Sequence, residues 1–447
     1  MATSDGDGVG DGSGAGAVRL RRPQRDQVAM RVECPDDLIP AEHPARVVWA
    51  VVASLDLSAF ERPIKARAGV CGRDATDPRV LVALWLLACV RGIGSARELA
   101  RRCDAAGDGS RPFLWLCGGV SVNHHTLADF RVGHARALDE LFTRVIAVLV
   151  KQGLVTVRRI SQDGTRVRAC AGAASFRRGA TLGTLLAQTK EHVGHLAALL
   201  DDPERSAGVS ARRRAARTRA ARERQARLER AIGLIPGLKA DQEKRAKRMS
   251  KKQKETKLRE PRASATDPEA RVMKMPNGGF NPAVNVQLAV DTASRAIVGV
   301  DASGSGADAR QAGPMREQVE GRTGRKVEEH LVDGGYLVVE EIERAAAEGV
   351  TMYVPPKPPR DPEHFGSEYE PRARDGDVIN DWRRRMGSEE GKEVYKQRAS
   401  TVETANANLK GHGLVQLTVR GLEKAKCVAL WCALAYNLSL FGRALIG

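Results

Sequence analysis

The chain has 447 residues, enough for two or three domains with sizeable cores, and it carries a formal charge of +17. Its eight cysteines are scattered without a C-x-x-C pair, which argues against a zinc site and a disulfide framework and indicates a reducing cytoplasm. The N-terminus lacks the pattern of a secretory signal, and the longest apolar runs, 80–90 and 427–436, are too short to span a bilayer. We therefore expect a cytoplasmic protein without a membrane partner.

Most of the positive charge lies in one part of the chain. Residues 205–262 contain 21 Lys and Arg against 6 Asp and Glu, a net charge of +15, so the rest of the protein is nearly neutral. A solvated helical surface can be basic for no functional reason. So dense a charge more often faces a polyanion, and nucleic acid is the commonest one. This stretch, called the basic segment below, is therefore predicted to contact nucleic acid.

The first part of the chain falls into two regions. Residues 1–18 are rich in Gly and Asp, cannot bury apolar area and are expected to be disordered. Residues 19–154 have a helical pattern, which predicts an all-α domain. Within it, Asp77 followed by Pro78 is typical of a helix start, and an apolar helix is predicted from there to Val90. A later helix is predicted over residues 127–151.

Two glycines, Gly92 and Gly94, break the apolar helix, and Ser95 is placed to cap a second one. A helix, a Gly-containing turn and another helix form the outline of a helix-turn-helix. In that interpretation Arg97, Arg101 and Arg102 of the second helix contact DNA. The same outline also turns a corner in any small helical bundle, so both interpretations stay open.

Three carboxylates then lie at the ends of predicted elements. A strand that includes Val157 is predicted to end in Asp163, and such a carboxylate alone is usually a turn residue. Asp333 likewise follows an apolar strand, and Glu403 lies on a helix predicted over residues 388–410. Converging carboxylates repel one another unless cations lie between them. Hard divalent metals, which prefer oxygen ligands, are therefore the expected occupants of such a site.

Between the first and second strands the chain is predicted to leave the sheet as a helical hairpin. Its first helix has an apolar seam at heptad spacing. The seam consists of Leu182, Leu186, Val193, Leu196 and Leu200, with Thr189 in the remaining position. A second, Arg-rich helix is predicted to run to Ile235 and to end at Pro236 and Gly237.

The remaining pattern predicts a mixed sheet. Residues 267–280 predict a loop, and residues 283–290 and 296–300 predict a β-hairpin. A helix between residues 308 and 320 and a strand at residues 328–332 follow. Apart from the helical hairpin, this order matches the opening of a ribonuclease-H-like sheet, which carries one catalytic Asp on its first strand and one on its fourth.

Three other aspartates compete for a catalytic role, namely Asp291, Asp301 and Asp308. Asp291 is interpreted as a turn residue within the β-hairpin, and Asp308 is interpreted as a helix cap. The last predicted helix, residues 423–441, is apolar enough to cover one face of the sheet.

The candidate residues lie in three motifs, namely Asp163-Gly-Thr, Val332-Asp-Gly-Gly-Tyr336, and Val402-Glu403 with Tyr395, Arg398 and Lys410. In these motifs the chain resembles the DDE transposases of bacterial insertion sequences, in the branch with an N-terminal helical domain. Further similar stretches are residues 93–99, 123–131, 285–291 and 420–424. The pieces occur in the family's order, and the resemblance extends from residue 25 to residue 437.

The resemblance implies that Asp163, Asp333 and Glu403 are catalytic and hold two Mg²⁺ ions, with Mn²⁺ as an alternative. It also implies that Tyr395, Arg398 and Lys410 contact DNA. The partner would be double-stranded DNA, both the terminal inverted repeats of a transposon and its target, bound by a homodimer in the nucleoid.

One departure from the family pattern concerns the helix that carries Glu403. Four residues separate Arg398 from Glu403, where the family usually has three. At about 100° per residue, the additional position is expected to rotate Arg398 away from the face of Glu403.

The sequence therefore predicts an α/β catalytic domain over residues 155–447, with a ribonuclease-H-like mixed sheet, flanking helices and a basic helical insertion at residues 180–263. An all-α DNA-binding domain, residues 19–154, and the disordered tail precede it. Two alternatives to an active transposase stay open. One is a transposase-derived DNA-binding protein that no longer cuts, and the other is a ribonuclease-H-like nuclease that does not transpose.

Overall fold

The computed structural model describes most of the chain. The described residues are 34–66, 71, 74–105, 107, 109–201, 210–246, 250, 260–359 and 366–446. The predicted disordered tail, residues 1–18, lies outside them, as do three pieces of the basic segment, residues 205–209, 247–249 and 251–259. In the described part of the chain, no helix combines the length and the apolar composition that crossing a membrane requires.

The region before the sheet is helical, as predicted. Its α-helices are α1 (Pro44–Ser54), α2 (Ser58–Glu61), α3 (Pro78–Val90), α4 (Ala96–Arg102), α5 (Arg111–Cys117), α6 (His124–Gly133) and α7 (Ala135–Lys151). The predicted caps are confirmed, because the Asp77 side chain accepts from the Arg79 amide and the Ser95 side chain from the Glu98 amide. Side-chain caps satisfy amides that the first helical turn leaves unpaired.

Helix α3 is the centre of this region. Eleven of its thirteen residues are buried, as expected of a helix that is apolar on every side. The Trp85 indole donates to the Leu127 carbonyl at 3.0 Å, so its polar atom is satisfied in the core. Helix α4 lies at the surface instead, and both Arg97 and Arg101 are exposed there.

The single helix predicted over residues 127–151 is wrong, because the chain breaks at His134 between α6 and α7. Gly133 weakens the helix immediately before the break. The His134 ring then packs 5.1 Å from the Phe130 ring and 5.5 Å from the Phe60 ring. Aromatic packing therefore favours the bend.

The sheet is mixed and ribonuclease-H-like, as predicted. Its strands are β1 (Arg159–Arg168), β4 (Arg271–Lys274), β5 (Phe280–Asp291), β6 (Ile297–Ser303), β7 (Glu329–Leu331) and β8 (Thr351–Tyr353). Strand β1 lies between β5, to which it is antiparallel, and β7, to which it is parallel, and β8 follows β7. Strands β4 and β6 both pair with β5. The loop predicted over residues 267–280 is thus partly wrong, because residues 271–274 form a strand.

In the part of the chain that the structure describes, six helices follow or flank the sheet. They are α10 (Ala312–Thr323), α11 (Val339–Ala347), α12 (Asp377–Gly387), α13 (Glu389–Arg398), α14 (Thr404–Gly411) and α15 (Leu422–Phe441). Thirteen of the twenty residues of α15 are buried. This helix covers β5 and β6, as predicted, and also packs against α3 and α7. The helical region and the sheet therefore share one hydrophobic core.

The predicted helical hairpin is present. Strands β2 (Phe176–Arg178) and β3 (Arg262–Ser264) pair at its base, and α8 (Gly179–Asp201) and α9 (Ala211–Ala246) pack side by side. Leu182 and Thr189 of the predicted seam are buried. Pro236 does not end the second helix, which continues to Ala246. A proline removes one backbone donor, and the packing of Ile235 and Leu238 against the hairpin core offsets that loss.

Candidate active site

Asp163 lies within strand β1 and not at its end. The pairing of β1 with β5 continues through Asp163, opposite Leu288, as far as Arg168, so the prediction that the strand ends in Asp163 is wrong. The carboxylate is mostly buried, with 18% of its side chain exposed. Its Oδ1 accepts from the Gly164 amide at 2.8 Å, and its Oδ2 accepts from Asn406 Nδ2 at 3.2 Å.

Asp333 comes into the same region through the parallel pairing of β1 with β7. Ser161 pairs with Leu331, so Asp163 and Asp333 each lie two residues further along neighbouring parallel strands. Residues two apart on a strand point to the same face. Asp333 begins a short 3₁₀ turn, Gly334–Tyr336, and its Oδ1 accepts from the Gly335 amide at 2.8 Å. This bond orients the carboxylate.

Glu403 comes from the helical side of the site. Between α13 and α14 the chain forms a π-helical turn, Ala399–Glu403. In a π-helix, residues five positions apart are joined, and Arg398 and Glu403 are five positions apart. Arg398 Nη1 lies 2.8 Å from Glu403 Oε1. The prediction that the additional residue rotates Arg398 away from Glu403 is therefore wrong, because the π turn absorbs that residue.

Arg398 lies among all three carboxylates. Its Nη2 is 3.3 Å from Asp163 Oδ2 and 4.0 Å from Asp333 Oδ2, while its Nη1 pairs with Glu403. Only 11% of the Arg398 side chain is exposed. Charge-assisted contacts of this kind are strong when they are shielded from water. The guanidinium thus offsets one of the three negative charges and holds the carboxylates together.

The electrostatics of the site follow from burial and charge. Burial raises the pKa of Asp163 to about 6, and Asp333 adds to the increase while Arg398 opposes it. Burial by itself lowers the pKa of Arg398, but the surrounding acidic groups, Asp163 first, bring it above its ordinary value. Burial also raises the pKa of Tyr395, and the carboxylates contribute to that increase. The ionised form of Asp163 is therefore costly in the folded protein unless a cation is close.

The other predicted residues lie at different places. Tyr395 is half-buried beside the carboxylates, one turn before Arg398. Lys410 is exposed in the last turn of α14. Arg97 and Arg101 lie on α4, and the turn before α4 packs on the chain just after Lys410, since a Cβ added at Gly92 would lie 2.8 Å from the Gly411 carbonyl oxygen.

Asn406 was missed by the sequence analysis. It is nearly buried and donates to Asp163 from the helix that follows Glu403. A signal was present, because residues three apart share a helix face and Asn406 is three positions after Glu403. A polar residue at that spacing from a catalytic candidate is a reasonable second candidate.

The chemistry of the donor set fits a divalent cation. The acceptor atoms are carboxylate oxygens, which Mg²⁺ and Mn²⁺ prefer, and a positive group already lies between them. No group of three or more His, Cys, Asp or Glu side chains in the described ranges is arranged to hold a metal ion. Because the Arg398 guanidinium lies within 4.0 Å of all three carboxylates, a cation bound by all of them would require Arg398 to move.

Two family models match the chain. Residues 240–438 match the model described as a transposase DDE domain, and residues 33–132 match the model described as a transposase domain. The comparisons with curated proteins and with solved structures gave no match. The first match includes Asp333 and Glu403 but begins after Asp163. The inclusion of Asp163 in the candidate site therefore rests on the geometry and on its sequence motif, and not on this match.

Proposed function

The chain belongs to the DDE transposases, and from that premise we propose that it cleaves DNA at transposon ends in a Mg²⁺-dependent reaction and joins the freed 3′ ends to target DNA. The observation that supports this chemistry most directly is the convergence of Asp163, Asp333 and Glu403 on one guanidinium. Three separate elements supply these side chains. A fold that gathers three carboxylates must offset their repulsion.

In the proposed site, Asp163, Asp333 and Glu403 would hold the divalent metal ions. Bound divalent cations supply charge stabilisation for the attacking and leaving oxygens of an in-line displacement at phosphorus. Asn406 holds the Asp163 carboxylate in place through its amide. Arg398, displaced from the carboxylates, then has its charge available for a DNA phosphate, to which guanidinium groups bind well.

The proposed DNA contacts extend beyond the carboxylates. Tyr395 and Lys410 lie on the same helical stretch as Glu403 and are assigned to the DNA near the cut, while the basic segment is assigned to phosphates further away. The proposed DNA partners are terminal inverted repeats and target DNA. Bringing two ends together favours a homodimer on DNA, in a nucleoid-associated protein.

A nicking assay tests the proposal. Incubation of the purified full chain with supercoiled DNA that carries the flanking terminal repeats should produce Mg²⁺-dependent nicks, followed by strand-transfer products. Nicks without joining would favour the ribonuclease-H-like nuclease. Binding without any nick would favour the DNA-binding protein that no longer cuts.

Replacement of Arg398 by Gln should show that its guanidinium supplies the positive charge between the three carboxylates when no metal ion is bound. Without the guanidinium, the three carboxylates face one another, so the free energy of unfolding in chelator should fall by about 2 kcal/mol. Added Mn²⁺ should then raise the melting temperature by more than it does in the wild type, because it meets no competitor. Calorimetry with and without metal measures both effects.

Arg384→Gln is the matched control for Arg398→Gln, since Arg384 pairs with Asp381 at an exposed position. Exposed pairs contribute little to stability, so this control should melt like the wild type. Equal metal-dependent increments for Arg398→Gln and the wild type would show that the guanidinium does not compete with the cation.

The helical region should hold the recognition of transposon ends. Arg97 and Arg101 are exposed on α4, a position from which they can reach base edges in a major groove. Replacing both with Ala in the full chain should weaken protection of the terminal repeats by about tenfold or more, and binding to unrelated DNA should change less. Footprinting measures this difference. An unchanged footprint would exclude α4 as the recognition element.

A further inference from the structure

A group of buried polar side chains lies beside the candidate site and is not explained by the carboxylates alone. We call it the polar network, and its members are Gln162, Asn285, Gln287, Asp308 and Tyr336. Each is at most 7% exposed. Gln162 comes from β1, Asn285 and Gln287 come from β5, which is otherwise largely apolar, and Asp308 follows β6. Buried polar groups cost free energy unless they are paired, so such a group needs a reason.

The Asp308 carboxylate determines the direction of the hydrogen bonds in the polar network. The Asp308 carboxylate can only accept, and its Oδ1 receives Asn285 Nδ2 at 2.7 Å and Gln287 Nε2 at 2.8 Å. The amide oxygen of Gln287 therefore faces the other way. It accepts from the Tyr336 hydroxyl and from Gln162 Nε2. Asp308 thus determines the orientation of Gln287, which in turn holds the Tyr336 phenol.

Tyr336 ends the 3₁₀ turn that Asp333 begins. The Tyr336 amide donates to the Asp333 carbonyl at 3.1 Å, and the Gly335 amide donates to the Asp333 carboxylate. Because the Tyr336 phenol is hydrogen-bonded to Gln287 of β5, this turn is held in place relative to the strands.

The interpretation of Asp308 as a helix cap is wrong. Gln311 occupies the N-cap position of α10, and the Asp308 side chain accepts hydrogen bonds from the side-chain amides of Asn285 and Gln287 in β5.

Gly164 directly follows Asp163, Gly335 lies two residues after Asp333, and both glycines lie near Asp308. A Cβ at Gly164 would overlap Asp308 Oδ1 and Gln287 Nε2. A Cβ at Gly335 would lie 2.9 Å from Asp333 Oδ1 and 3.5 Å from Asp308 Oδ2. Such distances leave little or no space for a side chain. The absence of a side chain at Gly164 is thus explained by the polar network, whereas at Gly335 the Asp333 carboxylate itself leaves little space.

We propose that Asp308, Gln287 and Tyr336 are positioning residues that fix the Asp333 carboxylate relative to Asp163, so that both can bind the same divalent cation. This inference rests on the proposed function. Residues that orient metal ligands without touching the metal typically change metal affinity by about 10- to 100-fold when they are altered. In this proposal none of the three contacts metal or DNA directly.

Tyr336→Phe in the full chain tests the proposal with Mn²⁺ as the probe. The variant loses one hydroxyl and should bind Mn²⁺ about 10- to 100-fold more weakly, as measured by titration without DNA. The Mn²⁺ concentration for half-maximal nicking should rise in parallel, while DNA affinity stays unchanged. Tyr353→Phe is the matched control. Its phenol bonds Glu329 and not the polar network, so its Mn²⁺ affinity should equal that of the wild type.

A second variant, whose folding is checked separately, distinguishes weaker Mn²⁺ binding from a simple loss of folding. Asp308→Asn keeps the shape and one acceptor oxygen but places an amide where Oδ2 now faces Arg166 at 3.4 Å. It should also weaken Mn²⁺ binding, with a circular dichroism spectrum like that of the wild type. Asp301→Asn, at a partly exposed pair with Lys426, is its control.

The outcomes separate this inference from the function on which it rests. If Asp163→Asn abolishes Mn²⁺ binding but Tyr336→Phe and Asp308→Asn bind Mn²⁺ like the wild type, the positioning role is wrong and the proposed function stands. If the wild type itself binds no Mn²⁺, both are wrong. A lowered melting temperature with unchanged Mn²⁺ affinity would reduce the polar network to a structural role and would also overturn the inference.

Discussion

Asp163→Asn is expected to lower Mg²⁺-dependent nicking by roughly a thousandfold while folding and DNA binding are retained. An amide keeps the shape of the side chain but removes the charge that holds a metal ion. Losing about 4 kcal/mol of charge stabilisation slows a step by roughly a thousandfold. Asp333→Asn and Glu403→Gln should have the same effect, because each removes one ligand. Single-turnover nicking measures the loss.

The same variants should not be less stable than the wild type when no metal is present. Arg398 offsets only one of three negative charges, so neutralising one carboxylate reduces the remaining repulsion. For Asp163 there is a second reason, since burial already makes its ionised form costly. Melting temperatures in chelator should therefore equal or exceed that of the wild type, and the gain on adding Mg²⁺ should shrink.

Retained cleavage by Asp163→Asn would show that the triad is misassigned. Asp291 is then a poor substitute, because its carboxylate is occupied by the Val157 and Ser294 amides, as its predicted turn role requires. Asp301 pairs with Lys426 instead. Asp308 would become the leading alternative, since it is the remaining carboxylate that influences the pKa of Asp163.

The sequence predicted the elements that depend on local signals. The caps at Asp77 and Ser95 and the seam through Leu182 are all present, because capping residues and helical periodicity act over a few residues. The order of the strands followed from the same kind of pattern. The approach of Asp163 to Asp333 then follows from one parallel pairing.

The details of the site depend on interactions between distant parts of the chain. An additional residue before Glu403 can rotate a helix or form a π turn, and the sequence alone does not distinguish the two. Here Thr401 and Val402 are buried and Arg398 pairs with Glu403, so tertiary packing favours the π turn. Likewise, the proposed positioning role of Asp308 depends on the side-chain amides of Asn285 and Gln287 in β5, more than twenty residues away in the sequence.

The DNA affinity of the protein is expected to depend strongly on the basic hairpin, which consists of α8 and α9. This hairpin should bind DNA mainly through phosphates. Residues 211–230 contain nine Arg against two Glu and no aromatic residue that could stack on bases. A helix of this length extends about 30 Å at 1.5 Å per residue, enough to follow several phosphates. Because each neutralised phosphate releases condensed counterion, affinity should fall steeply with salt and depend little on sequence.

A substitution and a deletion test this role. Changing Arg219, Arg222 and Arg230, all exposed on α9, to Gln should reduce the slope of log K against log salt by roughly 0.9 for each phosphate that the protein no longer neutralises. Deleting the hairpin should reduce it further. The antiparallel pairing of Arg178 with Arg262 allows a two-residue Asn-Gly turn to replace residues 179–261 without disturbing the sheet.

The matched control for the triple substitution changes Arg136, Arg158 and Arg384 to Gln. These arginines are also exposed, but each is paired with an acidic side chain outside the hairpin. The control removes the same charge from the protein, so it separates a local interaction with DNA from a general effect of net charge. Equal slopes for both triple variants would show that only net charge matters. An unchanged slope after the deletion would mean that the charge of the hairpin serves a partner other than DNA.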